Sequence, residues 1–252
     1  MPFLDRPTHK LNYDLTGDGP PVLLTHSFSA SKTMWQGQVE ALSSQFQLLT
    51  WDLHGHGATE SSSDPSRYSE QSTVQDMAAL LDACDIEQAV VGGLSLGGYM
   101  SLAFYRTFPD RVRALMLFDT GPGFKKDEPR DKWNANAQRT ADIIDNKGLE
   151  PLERNSQEVR IANHASPTAL AHAARGMLTQ ADGRVINSLA DVKVPTLVLV
   201  GAEDKPFFAA TDYMASKIPN ASKVVIEGAG HAANLDQPDA FNIAVRNFLV
   251  SL

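Results

Sequence analysis

The stretch VVGGLSLGGYM, residues 90–100, holds one hydroxyl, Ser95, among four glycines, Gly92, Gly93, Gly97 and Gly98. It carries the pattern G-x-S-x-G directly after the apolar run AVVGGL and directly before GYMSLAFYRTFP. Between a strand and a helix, such a serine sits on a sharp, strained turn with its hydroxyl above the sheet. Small neighbours are needed because the two backbones approach closely around the bend. The competing reading is a flexible turn, and the flanking strand and helix patterns weigh against it.

A serine hydroxyl is a poor nucleophile until a base removes its proton. The expected base is His231 in VVIEGAGHAANLDQP, on a loop after the last apolar run and preceded by glycines. An imidazole in that role needs a carboxylate to fix its tautomer and stabilise its charged form. VLVGAEDKPF supplies Asp204, the expected partner, with Glu203 and the Asp119 of LFDTGPG as substitutes. Asp236, five residues after His231, is expected to cap the last helix. An acyl-transfer intermediate also needs preorganised N–H donors for its oxyanion. The backbone N–H of Leu96 is one, and Phe28 within THSFSAS is the best-placed second. Losing one such donor typically costs about 2.7–4 kcal/mol of transition-state stabilisation.

These residues are far apart in sequence, so a scaffold must gather them. PVLLTH (21–26), FQLLTW (46–51), AVVGGL (89–94), RALMLF (113–118), PTLVLV (195–200) and KVVIEG (223–228) are nearly unbroken apolar runs. Such runs suit strands covered on both faces, as in a parallel sheet. HKLNYDL (9–15) reads as an edge strand. TVQDMAALLDAC (73–84) spaces apolar residues as a helix does, with Ser72 as its expected N-cap. DAFNIAVRNFLV (239–250), after Pro238, reads as a closing helix. Strands alternating with helices predict an α/β fold, a mostly parallel central sheet with helices on both faces.

From about Gly121 to Asp191 the alternation stops. EPRDKWNANAQRTADIIDNKG (128–148) predicts a long helix that stops at Gly148, and SPTALAHAARGMLT (166–179) a second opened by Ser166 and Pro167. The expectation is a core domain of residues 1–120 and 192–252, with 121–191 a helical lid over the carboxyl edge of the sheet, where open α/β sheets bind ligands.

The 252 residues are 42% hydrophobic and 21% charged, the composition of an ordinary soluble domain. Lys and Arg total 22 against 30 Asp and Glu, a formal net charge of -8. That balance repels phosphate backbones and anionic lipids, so neither nucleic acid nor membrane is an expected partner. The start MPFLDRPTHK lacks a secretory apolar stretch, and a cytoplasmic protein is the expectation. The single cysteine, Cys84, leaves no internal disulfide and reads as a buried, inert thiol.

Taken together, GLSLGG, GAEDKPF and GAGHAANLDQP resemble the nucleophile elbow, acid loop and histidine loop of the α/β-hydrolase superfamily, across nearly the whole chain. The chain order Ser, Asp, His in this fold differs from both protease orders. The lidded layout is similar to 3-oxoadipate enol-lactonases and small carboxylesterases. WDLHGHGAT (51–59) resembles that family's D-x-x-G-x-G segment, which is structural there, so no metal is expected on His54 and His56. Where His-Gly is usual in the oxyanion loop, this chain has His26–Ser27. A serine in the elbow sets aside the dehalogenases and epoxide hydrolases of this fold, which use aspartate.

The resemblance implies a cofactor-free hydrolase of a small-molecule ester or lactone. C–C bond hydrolysis, thioester hydrolysis and perhydrolysis use the same triad, and a non-catalytic ligand receptor is the reading from another class. His26, Ser27, Trp133, His164, His172, Met177 and Phe207 are the expected substrate-binding residues around a mainly apolar pocket.

Overall fold

In the computed structural model, which describes residues 2–154 and 156–252, eight strands form one sheet. They are β1 (Phe3–Asp5), β2 (Lys10–Thr16), β3 (Pro21–Thr25), β4 (Gln47–Trp51), β5 (Ala89–Leu94), β6 (Val112–Phe118), β7 (Thr196–Gly201) and β8 (Ala221–Ile226). Their order across the sheet is β1-β2-β4-β3-β5-β6-β7-β8. β1 and β2 run antiparallel to their neighbours, and β4 through β8 pair in parallel.

The apolar runs are continuous because both faces of the sheet are covered. Val22, Leu24, Val90, Met116, Phe118, Leu197 and Leu199 face one core, shared with α1 (Gln36–Leu42) and α10 (Pro238–Val250). Their alternate neighbours Leu23, Val91, Leu115, Leu117 and Val198 face the other, with α2 (Glu70–Ala83) and α3 (Leu96–Thr107). A period of two thus divides one apolar string between two layers.

Three expectations are corrected. HKLNYDL forms β2 but is not the edge, because Phe3–Asp5 adds a short antiparallel strand outside it. The N-cap of α2 is Ser69, whose hydroxyl accepts from the Ser72 amide at 3.1 Å. Asp236 does not cap the last helix. Its carboxylate accepts the Gly230 amide at 2.8 Å, bracing the loop that carries His231.

Between β6 and β7 the described residues form no strand. They build α4 (Asp127–Lys147), α5 (Gln157–Arg160), α6 (Pro167–Ala173), which continues as a π-turn over Ala174–Leu178, and α7 (Arg184–Asn187). Gly148, with φ 65, ends α4, and the Ser166 hydroxyl caps α6 at the Ala169 amide. This insertion has a small core of its own in Ala141, Ile144, Leu170, Ala171 and Ala174. After β7 come α8 (Lys205–Lys217), and after β8 α9 (Ala233–Asp236) and then α10.

Candidate active site

β5 ends at Leu94 and α3 starts at Leu96, so Ser95 is the whole bend. Its backbone, φ 54 and ψ -113, is one that L residues seldom adopt, at a cost of order 1–3 kcal/mol. The Ser95 amide donates to the Phe118 carbonyl at 2.9 Å, and the Thr120 hydroxyl donates to the Ser95 carbonyl at 2.6 Å. The crowding explains the glycines. A Cβ on Gly97 would lie 2.1 Å from the Thr25 carbonyl oxygen, and one on Gly93 would lie 2.5 Å from the Gly97 carbonyl carbon. A serine at a helix N-cap ordinarily caps it. Ser95 makes no such bond, so its hydroxyl is not committed to the helix.

His231 donates from Nδ1 to the Asp204 carboxylate at 2.8 Å, which leaves Nε2 with its lone pair. The carboxylate is buried and the imidazole partly open. Burial pulls the imidazole down, but the hydrogen bond and charge of Asp204, with Glu158 and with Asp119 when it is ionised, carry it above its ordinary value. Of the two substitutes weighed for Asp204, Asp119 accepts the Gly201 amide at 2.8 Å and is fully buried. Burial pushes its carboxyl up to about 8, so it is protonated at neutral pH. Glu203 makes no contact with His231 among the described residues.

A cavity of about 210 Å³ opens beside Ser95. Thr120, Gly121, Pro122, Gly123 and Phe124 after β6 form one wall, and Pro206, Phe207 and Ala210 of α8 another. The insertion closes it with Trp133, Met177, Leu178 and Gln180. The His231 ring stacks on Phe207, a residue of that wall, with centroids 5.1 Å apart. Leu96 also lines the cavity, and as the first residue of α3 it has an amide without an intrahelical acceptor. The Phe28 amide donates to no protein acceptor among the described residues.

Of the residues that the sequence suggests for substrate binding, Trp133, Met177 and Phe207 line this cavity, and His26, Ser27, His164 and His172 do not. His26 is fully buried; its Nδ1 donates to the Ser27 carbonyl at 2.7 Å and its Nε2 accepts the Leu53 amide at 3.0 Å. Ser27 is buried beneath the same loop. His164 reaches across from the insertion, accepting the Gly57 amide at 3.2 Å and donating to the Ser29 carbonyl at 2.8 Å. His172 tilts against Tyr68 at 5.5 Å. His26 and His164 thus tie the segment around Ser27–Ser29 to the one around Leu53–Gly57, and none of the four lines the cavity. His54 is likewise packed between His9 and Tyr68, at 4.1 and 4.4 Å.

The buried histidines have a consequence for stability. Burial holds His26 and His54 down at about 4, His56 well below its ordinary value, and His164 below it. Below pH 6.5 the unfolded chain therefore takes up protons that the fold excludes, so stability present above 6.5 is lost as pH falls towards 4. A histidine shifted from 6.5 to about 4 forfeits about 2 kcal/mol between pH 7 and 5. The raised Asp119 works the other way by about 2–3 kcal/mol over the same window, and the raised His231 opposes it weakly. Four against two, the net effect is acid destabilisation. The expected result is a lower urea midpoint at pH 5 than at pH 7, and a smaller drop in His54→Phe, which keeps the ring stack without the titration.

Residues 22–244 match the model of the alpha/beta hydrolase family. The chain belongs to that family. It is 28% identical to 3-oxoadipate enol-lactonase 2 of Acinetobacter baylyi over 93% of this chain and 91% of that protein. A thermophilic esterase from Thermogutta terrifontis is 31% identical and superposes with a TM-score of 0.83, over 96% of this chain and 94% of the other. The enol-lactonase from Burkholderia xenovorans LB400, 26% identical, gives a TM-score of 0.80 over 99% and 100%. Among the described residues no helix is long and apolar enough to cross a membrane.

Proposed function

We propose that this protein hydrolyses a carboxylic ester or lactone through an acyl-enzyme on Ser95, with residues 121–191 acting as the lid of the site. The observation that carries this reading is the strained Ser95, whose hydroxyl is not used as a cap and which lines the cavity. Asp204 holds the Nδ1–H tautomer of His231, so Nε2 is the basic nitrogen. As the Ser95 oxygen attacks the carbonyl carbon, Nε2 takes its proton. The oxyanion is met by the Leu96 and Phe28 amides. Collapse breaks the acyl–oxygen bond, and the imidazolium returns the proton to the leaving alkoxide. Water then attacks the acyl-enzyme with His231 again as base, releasing the acid and restoring Ser95. No cofactor takes part in these steps.

Similarity to an esterase and two enol-lactonases supports the ester-bond class. The test is labelling with a fluorophosphonate, beside hydrolysis of short-chain esters. Wild type should label and turn over, and Ser95→Ala should do neither. An unlabelled, inactive wild type would point to a ligand receptor on this scaffold.

A further inference from the structure

Resting on that reading, we infer that His164 is a positioning residue: through it and the Phe28 ring, the lid holds the oxyanion loop in the shape that presents the Phe28 amide to the reacting carbonyl. The loop starts beside the nucleophile elbow, since a Cβ on Gly97 would lie 2.1 Å from the Thr25 carbonyl oxygen and 2.8 Å from that of His26. It then makes a tight turn, in which the Ala30 amide donates to the Ser27 carbonyl at 3.2 Å and Phe28 and Ser29 are the central residues. Ser29 has φ 56, in the left-handed region that glycine favours. A serine stays there only where its surroundings over-determine it. Because peptide units are planar and rigid, the direction of the Phe28 amide follows from the shape of this turn.

Two contacts from the insertion supply that constraint. His164, in the connection between α5 and α6, donates from Nε2 to the Ser29 carbonyl at 2.8 Å. Its Nδ1 accepts the Gly57 amide at 3.2 Å, which fixes both the tautomer and the plane of the ring. Burial holds this imidazole below its ordinary value, so at pH 7 it is neutral and Nδ1 keeps its lone pair. The second contact is the Phe28 side chain, which packs against the insertion's own core of Ala141, Ile144, Leu170, Ala171 and Ala174. His56 joins the two, meeting the Phe28 ring edge-on at 5.5 Å and the His164 ring at 5.7 Å. From the core side, His26 holds the Ser27 carbonyl. Three successive residues, Ser27, Phe28 and Ser29, are thus gripped between core and insertion. Seating the lid and ordering the second oxyanion donor are therefore one event, and displacing the lid releases the strained turn.

The test measures kcat and KM for methyl butanoate, and Ki for trifluoromethyl propyl ketone, whose adduct with Ser95 carries the oxyanion. The proteins compared are wild type, His164→Ala, His164→Gln and His164→Asn, with kcat counted per Ser95 labelled to completion by the fluorophosphonate, which excludes unfolded protein. Expected in His164→Ala are a kcat about 10–100-fold lower and a Ki raised by the same factor, with KM within about 3-fold of wild type. In His164→Gln the carboxamide nitrogen reaches the place of Nε2 and keeps the Ser29 bond, so both values should return to within about 5-fold of wild type. His164→Asn ends at the level of Nδ1 and can take only the Gly57 bond, so it should resemble His164→Ala. Where His164→Ala does not fold, the comparison of Gln with Asn decides. An unchanged kcat in His164→Ala, a fall in kcat without the matching rise in Ki, or Asn restoring activity as well as Gln would overturn the inference and leave the hydrolase reading intact. A wild type that neither labels nor cleaves the ester would remove both.

Discussion

Asp204→Asn should lower kcat by about 10⁴-fold, whereas Asp119→Asn should stay within about 10-fold of wild type, both measured at pH 7 on a short-chain ester. Both carboxyls lie near the same imidazole, and their environments separate them. Asp204 accepts the Nδ1 proton of His231 at 2.8 Å. An asparagine there presents either an amide donor to that nitrogen, which selects the wrong tautomer, or a neutral acceptor that no longer stabilises the imidazolium. Asp119 is pushed by burial up to about 8, so at pH 7 it is mainly a neutral acid that accepts the Gly201 amide. Asparagine reproduces that state. The pH profile provides a second reading. His231 must be neutral to act as base, so kcat/KM rises with pH through the raised value of its imidazole. Removing the Asp204 charge should move that acid limb to lower pH. A large loss in Asp119→Asn with little change in Asp204→Asn would give Asp119 the acid's role.

Ser95→Ala and His231→Ala should each lower kcat by at least about 10⁴-fold, and the double variant should be no worse than either alone. The reason is that, in the proposed mechanism, the two side chains perform one event, transfer of the Oγ proton as the carbon–oxygen bond forms. Without the base, the alcohol is no more reactive than the alanine that replaces it. The residual rate in all three should come from the amides of Leu96 and Phe28, which are main-chain groups and survive each change. Additive losses in kinetic measurements on purified variants would mean that the two residues work independently.

The parts of this site that are legible in the sequence are those with a local cause. Ser95 announces itself because the close approach of Thr25 and Gly97 demands glycine at fixed offsets. His231 and Asp204 stand on loops directly after strands, and those strands are readable because two-sided burial makes them uniformly apolar. The rest depends on tertiary neighbours. β1 is three residues long and gains its identity only by pairing with β2. His26 and His164 look like pocket residues until their ring nitrogens are seen spent on Leu53, Ser27, Gly57 and Ser29. Asp236 keeps its position but serves the histidine loop in place of a helix, because the Gly230 amide lies within its reach.

The most direct measurement is a rapid acid quench of the enzyme during turnover of a slow ester, followed by intact-mass and peptide mass spectrometry. The expected result is a mass increase equal to one acyl group, located on the peptide containing Ser95 and absent in Ser95→Ala. Steady turnover with the Ser95 peptide unmodified at every quench time, or the acyl group on another residue, would contradict a covalent route through this serine.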